Sequence, residues 1–185
     1  MRRLAAGLLL LALVGCGGAG APGAIQPAPI GAVLVISNES ATSFDVPAFC
    51  AAQNKQIAGE FHADWGILAT CAASGTGYGT VHLVDSLPQT STGSGYHQGN
   101  QAYILMSGKI ATLPHSLAIS HEVLEMLADP DGKGYEVCDP VAFRQYTIDG
   151  VSLSDYVTRN YFVGGPGPWD HMGAVTGPNT PNMGP

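Results

Sequence analysis

Hydrophobic positions along this chain fall into short blocks separated by stretches rich in glycine, proline and small polar residues. The first block, residues 4–14, is an unbroken apolar run behind Arg2 and Arg3. It is too short for a permanent bilayer span of about 20 residues, and with its basic start it reads as a secretory signal. The uncharged segment 17–29 (GGAGAPGAIQPAP) reads as a flexible tether. Residues 32–37 (AVLVIS) form a β-branched apolar run and predict a buried strand. Asp45 as N-cap and Pro47 in the first turn then open a helix that runs through Phe49, Ile57 and Phe61. Strands are expected over 67–72, 80–85 and 101–107. The loop Gly75-Thr76-Gly77-Tyr78-Gly79 lacks both the third glycine of a dinucleotide fingerprint and the Gly-Lys-Ser/Thr of a phosphate loop, so it reads as a β-turn. Residues 88–100 are polar and glycine-rich and are expected to form a loop.

The strongest helical pattern covers 113–129, with Thr112 as N-cap, Pro114 in the first turn and Pro130 as the stop. At about 100° per residue, His121, Glu125, Asp129 and Glu122 fall within roughly one quarter of the circumference. Leu117, Ile119, Val123, Leu124, Met126 and Leu127 take up nearly all the rest. Such a helix is buried on most sides and carries one narrow ionisable stripe. Beyond it, residues 143–148 and 151–153 flank Asp149-Gly150, a hairpin turn pair. The last 22 residues, from Gly164, hold 6 Gly and 5 Pro and read as an irregular tail. The fold class expected is α+β: a single domain over 31–163 with a mixed twisted sheet, a buried site helix and a C-terminal hairpin.

Composition narrows the function classes. The chain has 185 residues, enough for one domain, and 7 Lys+Arg stand against 14 Asp+Glu. A formal charge of −7 leaves no basic surface for phosphates, so no nucleic-acid partner is expected. Export implies a disulfide-permissive compartment. With Cys16 set aside, Cys50, Cys71 and Cys138 remain; Cys50–Cys71 is the preferred pair, and the other pairings stay open. His62, His82, His97 and His115 are read as surface or satisfied histidines.

Six of the 14 acids lie within 122–139. Glu122 and Glu125 are helical neighbours, as are Glu125 and Asp129, and no Lys or Arg lies between Thr112 and Asp129 to relieve the repulsion. A bound divalent cation would stabilise this arrangement. An EF-hand loop over 129–140 is excluded, because Lys133 and Pro140 stand where ligands are required.

Two resemblances extend this reading. Leu13-Val14-Gly15-Cys16 resembles the lipobox of bacterial lipoproteins. That resemblance implies a signal peptide over 1–15, lipidation at Cys16 and a lipid-anchored place in the cell envelope, at the outer membrane or cell surface. His121-Glu122-x-x-Glu125 resembles a variant of the His-Glu-x-x-His helix of zincin metallopeptidases, with Glu125 in place of the second histidine. The wider pattern, with Asp129-Pro130, Glu136-Val-Cys-Asp139 and Ser154-Asp155, is similar to poorly characterised bacterial and phage proteins.

The zincin resemblance implies His121 and Glu125 as metal ligands and Glu122 as the general base that takes a proton from the attacking water. A third ligand is expected from Glu136 or Asp139, with Asp129 as support. The expected cofactor is Zn²⁺, with other divalent cations open because carboxylates suit harder ions. The expected partners are a peptide or protein substrate and the membrane through the anchor, the chain itself being a monomer. The rival expectation is a non-catalytic surface or binding lipoprotein with a structural calcium or other divalent-cation site.

Overall fold

The computed structural model describes residues 27–88, 94–107, 114–132, 135–141 and 144–179. The expected signal peptide, Cys16, the Thr112 cap, Lys133 and Phe143 lie outside them. No described helix is long and apolar enough to cross a membrane.

The chain forms a mixed α/β structure. Strand β1 (Ala32–Asn38) is followed by helix α1 (Val46–Gln56), which continues through a π-helical turn (Ile57–Phe61) into the short α2 (His62–Trp65). Asp45 caps α1 as expected, its carboxylate accepting the Ala48 amide at 3.0 Å. Gly59, off helical geometry, marks the kink where α1 gives way to α2. Four strands follow: β2 (Ala69–Ala72), β3 (Gly79–Val84), β4 (Gly95–Gln98) and β5 (Gln101–Leu105). Helix α3 (His115–Ala128), the hairpin β6 (Gln145–Ile148) and β7 (Val151–Ser154), and the short α4 (Arg159–Val163) complete the order.

Five strands make one sheet in the order β2-β1-β3-β5-β4, parallel except for β4, which runs antiparallel to β5 at the edge. Side chains alternate across it. Leu34, Ile36, Val81, Leu83, Ala102 and Ile104 are buried in the common core with Val123, Leu124, Met126 and Leu127 of α3. Gly79 permits the close approach of α3, because a Cβ there would meet Met126 Cε at 3.0 Å and the Asn100 carbonyl at 2.6 Å. Asp149 (φ 51°) and Gly150 (φ 81°) take the two left-handed positions of the β6–β7 turn, as that residue pair requires.

Three sequence expectations need correction. The loop expected over 88–100 contains β4, whose Gly-Tyr-His-Gln composition carries no hydrophobic alternation. The tether ends sooner than expected, since Ala28 is buried and its amide donates to the Leu127 carbonyl at 2.8 Å. The C-terminal segment lacks regular structure up to residue 179 but is built into the domain. Asp170 is fully buried, its carboxylate accepts the amides of Ala174 and Val175, and the residue bridges to Val157. His171 stacks on Tyr156, with ring centroids 5.4 Å apart.

Cys50 and Cys71 are disulfide-bonded, tying α1 to β2, and Cys138 is free and buried. The bond closes a loop of sequence separation 21, for which chain-entropy arguments give about 3 kcal/mol. The double substitution Cys50→Ser, Cys71→Ser should lower unfolding stability by about that amount in denaturant titration.

Asp155 is buried beside Asp170, and one carboxylate oxygen, Oδ2, has no hydrogen-bond partner. Burial, with Asp170 adding repulsion, pushes its carboxyl up to about 6. The folded chain therefore holds this proton more tightly than the unfolded chain, whose value is near 3.8. The stabilisation is present at low pH and is lost as pH rises from about 4 through about 6. Asp155→Asn keeps an acceptor for the Tyr156 amide and removes the charge. The variant should melt a few degrees above the parent near pH 7, with the gap closing below about pH 4, as read by thermal denaturation at several pH values.

Candidate metal centre

Helix α3 is held at its back by a buried polar network. The Ser120 hydroxyl donates to Gln56 Oε1 at 3.2 Å and accepts the Ser154 amide at 3.1 Å. Gln56 Nε2 donates to the Ser154 carbonyl at 2.8 Å and to the Tyr146 hydroxyl at 2.7 Å. These bonds join α1, α3 and β7 and fix the rotation of α3 about its axis. Ser120 points rearward, so its neighbours His121 and Glu122 are turned towards the other side.

On that side Glu125 occupies the centre. Its side chain is 4 % exposed, and its two oxygens face different partners. Oε1 lies 3.2 Å from His121 Nε2 and accepts the Cys138 amide at 3.2 Å. Oε2 lies 3.8 Å from His97 Nδ1. His121 Nε2 also lies 3.3 Å from Asp139 Oδ1. His97 Nδ1 is 3.4 Å from Glu122 Oε2. The open side of the cluster is at His121 and Asp139, whose side chains are 20 % and 66 % exposed.

Two sets of donor atoms lie close enough to surround a cation, each within 4.8 Å of one another: His121, Glu125 and Cys138, and His97, Glu125 and Glu136. Imidazole, carboxylate and thiol donors are the set that suits zinc and its first-row neighbours. They do not suit calcium, which takes oxygen ligands.

The electrostatics follow from crowding Glu122, Glu125 and Glu136 with two imidazoles largely out of water, Asp139 standing at the exposed rim. Burial disfavours the His121 cation, but hydrogen bonds to Asp139 and Glu125 outweigh it and push the imidazole up to about 10. Burial likewise opposes the His97 cation, and Glu122 more than compensates, so its value rises. Burial raises the Glu122 carboxyl against the pull of His97. Glu136 is pushed up to about 7 by burial and the nearby Glu125 charge. The Cys138 thiol is raised for the same two reasons, whereas the hydrogen bond to His121 lowers Asp139.

No protein-family model matches this chain, and no curated protein or solved structure matches it either. The centre is therefore read from its own residues.

Of the residues singled out in the sequence, His121, Glu122, Glu125, Glu136 and Asp139 are brought together. Asp139 reaches His121 but is in neither donor set, and nor is Asp129. Its carboxylate accepts the Tyr135 amide at 2.8 Å, and it fixes the return of the chain that brings Glu136, Cys138 and Asp139 back over α3. His62, His82 and His115 behave as read: His62 bonds the Ile67 carbonyl, His82 bonds Glu39 and Gln101, and His115 is half-buried at the start of α3. His97 does not, because β4 places it against α3. Cys138 was also missed as a donor. The leftover cysteine between Glu136 and Asp139 was its only sequence signal.

Gly95 on β4 is part of this geometry. A Cβ there would meet Ile104 Cδ1 at 2.8 Å, the Tyr103 carbonyl at 2.9 Å and Glu122 Oε1 at 3.3 Å. Gly95→Val should force β4 away from β5 and α3, lowering stability by about 1–3 kcal/mol in denaturant titration. It should also move His97 away from Glu122 and Glu125.

Proposed function

We propose that this chain is a metal-dependent hydrolase acting on peptide or other acyl bonds, with Glu122 as general base. The observation that carries the reading is the position of Glu122. It is 8 % exposed, sits one helical residue from His121, and belongs to neither donor set, while its Oε2 rests 3.4 Å from His97. A carboxyl raised by burial beside a cation site is suited to taking a proton from water and returning it to a leaving group. A divalent cation, when bound, supplies a Lewis acid for the carbonyl and a more acidic water. His121 and Glu125 would hold it from successive turns of α3. Cys138 would reach it from the returning chain, leaving the exposed Asp139 side open to water and substrate.

The zincin-like character, with Zn²⁺ as the cation, belongs to this proposal and rests on the His-Glu-x-x-Glu helix behind a mixed sheet with an antiparallel edge strand. The rival calcium-stabilised binding protein is weakened by the imidazole and thiol donors. An exported, lipid-anchored location is likewise proposed. It rests on the lipobox-like Leu13–Cys16 segment and is supported by the Cys50–Cys71 disulfide, a bond typical of oxidising compartments.

The test is elemental analysis paired with hydrolysis of a general protein substrate such as casein. Glu122→Gln should retain bound metal and lose at least 100-fold in rate, in line with loss of a general base. His121→Ala should lose both metal and activity. Metal-free wild-type protein, or full activity in Glu122→Gln, would sink the reading.

A further inference from the structure

The two donor sets around Glu125 are not alternatives. We propose that the centre binds two divalent cations at once, with Glu125 bridging them: one at His121, Cys138 and Glu125 Oε1, the other at His97, Glu136 and Glu125 Oε2. The proposal rests on reading the cluster as a metal site and adds its nuclearity.

Geometry is the first support. The sets share only Glu125, and its oxygens already divide between them, Oε1 towards His121 and the Cys138 amide, Oε2 towards His97. A carboxylate that offers one oxygen to each side holds two ions about 3.5–4 Å apart, the spacing of two-metal hydrolytic sites. Donor atoms around one tetrahedral ion stand roughly 3.4–3.8 Å from each other at ordinary bond lengths. Both sets, within 4.8 Å, need only a small closure to reach this.

His97 is the second support, and it is independent of the acids. Its side chain is 5 % exposed, it faces Glu122 and Glu125 across the α3–β4 contact, and its Nε2 has no hydrogen-bond partner in the structure. Nδ1 is the nitrogen turned to the glutamates, 3.4 Å from Glu122 and 3.8 Å from Glu125, and with Nε2 bound to nothing the buried ring is held only from that side, where a cation of the second set would take it.

Charge is the third. Glu122, Glu125, Glu136 and Asp139 bring four carboxylates into one cluster, and no lysine or arginine of the described residues forms an ion pair with them. With neutral imidazoles, these four acids ionised and Cys138 bound as thiolate, the cluster carries five negative charges. Asp139, 66 % exposed, is solvated, which leaves four at Glu122, Glu125, Glu136 and Cys138; two divalent cations balance them where one leaves two uncompensated, and uncompensated buried charge is strongly unfavourable.

The experiment strips the full chain with chelator, reloads it with Co²⁺ or Zn²⁺, removes excess and counts metal per chain. Cobalt also reports its ligands, because a thiolate ligand gives a near-ultraviolet charge-transfer band. Wild type should bind two equivalents and show the band. His97→Ala and Glu136→Gln should each bind one equivalent and keep the band, whereas Cys138→Ser should lose the band while the second site still fills. Titration of Mn²⁺ into wild type should give the spin-coupled resonance of a close pair. One equivalent in wild type, or two retained in both His97→Ala and Glu136→Gln, overturns the bridged pair and leaves a single-metal hydrolase standing. No bound metal in wild type overturns both readings. Circular dichroism of each variant against wild type separates loss of a ligand from loss of the fold, and the wild-type count decides the matter without any variant.

Discussion

The structure depends on satisfying one carboxylate, that of Glu125, where water scarcely reaches. Both of its oxygens must find partners, and these come from three separate parts of the chain: His121 one turn earlier on α3, the Cys138 amide on the returning loop, and His97 on the edge strand. Each partner is held in place by something else. The Asp129 carboxylate steers the returning loop through the Tyr135 amide, and the closeness of Gly95 lets β4 lie against α3. The Ser120–Gln56–Ser154 network keeps α3 from rotating. Removing any one of these leaves a buried acid short of a partner, a penalty of about 1–3 kcal/mol or more for a charged group.

Helix α3 thus serves two opposed demands with one sequence. Its apolar faces belong to the core, in company with β3 and β5, and its narrow ionisable stripe belongs to the centre. The stripe could not survive on an isolated helix, because its acids repel at i,i+3 spacing and nothing basic interleaves them. Core burial provides the rigidity that keeps these acids together. The stored repulsion is in turn what the proposed cations would relieve.

Much of this was legible in the sequence where chemistry and periodicity coincide. The α3 stripe, the Asp45 cap and the Asp149-Gly150 turn follow from local patterns that the structure reproduces, and of the cysteine pairings left open the structure has the preferred one, Cys50–Cys71. What was hidden is tertiary. Strand β4 has two-sided, weakly hydrophobic composition, so nothing in Gly95-Tyr96-His97-Gln98 signals pairing with β5, and His97 looks like any loop histidine. The segment after Gly164 reads as a tail because glycine and proline dominate it. Asp170, the single buried residue among those described after Gly164, anchors it through backbone amides that leave no sequence trace. Asp129 lies on the helical stripe with His121 and Glu125, yet the helix ends there and its carboxylate turns to the following loop.

The arrangement of the three described cysteines bears on how the chain reaches this state. Cys50 and Cys71 are separated by 21 residues, whereas Cys138 stands 67 beyond Cys71. Loop closure becomes entropically harder as the intervening chain lengthens, so the shorter contact has the advantage in the unfolded ensemble. The native crosslink is therefore also the kinetically favoured one, and among the described cysteines it consumes both thiols with which Cys138 could mispair. Once α3 packs, Cys138 is sealed at 0 % exposure, beyond the reach of oxidants. Under the proposed export, Cys138 would be carried through an oxidising environment undamaged, protected first by loop entropy and afterwards by burial.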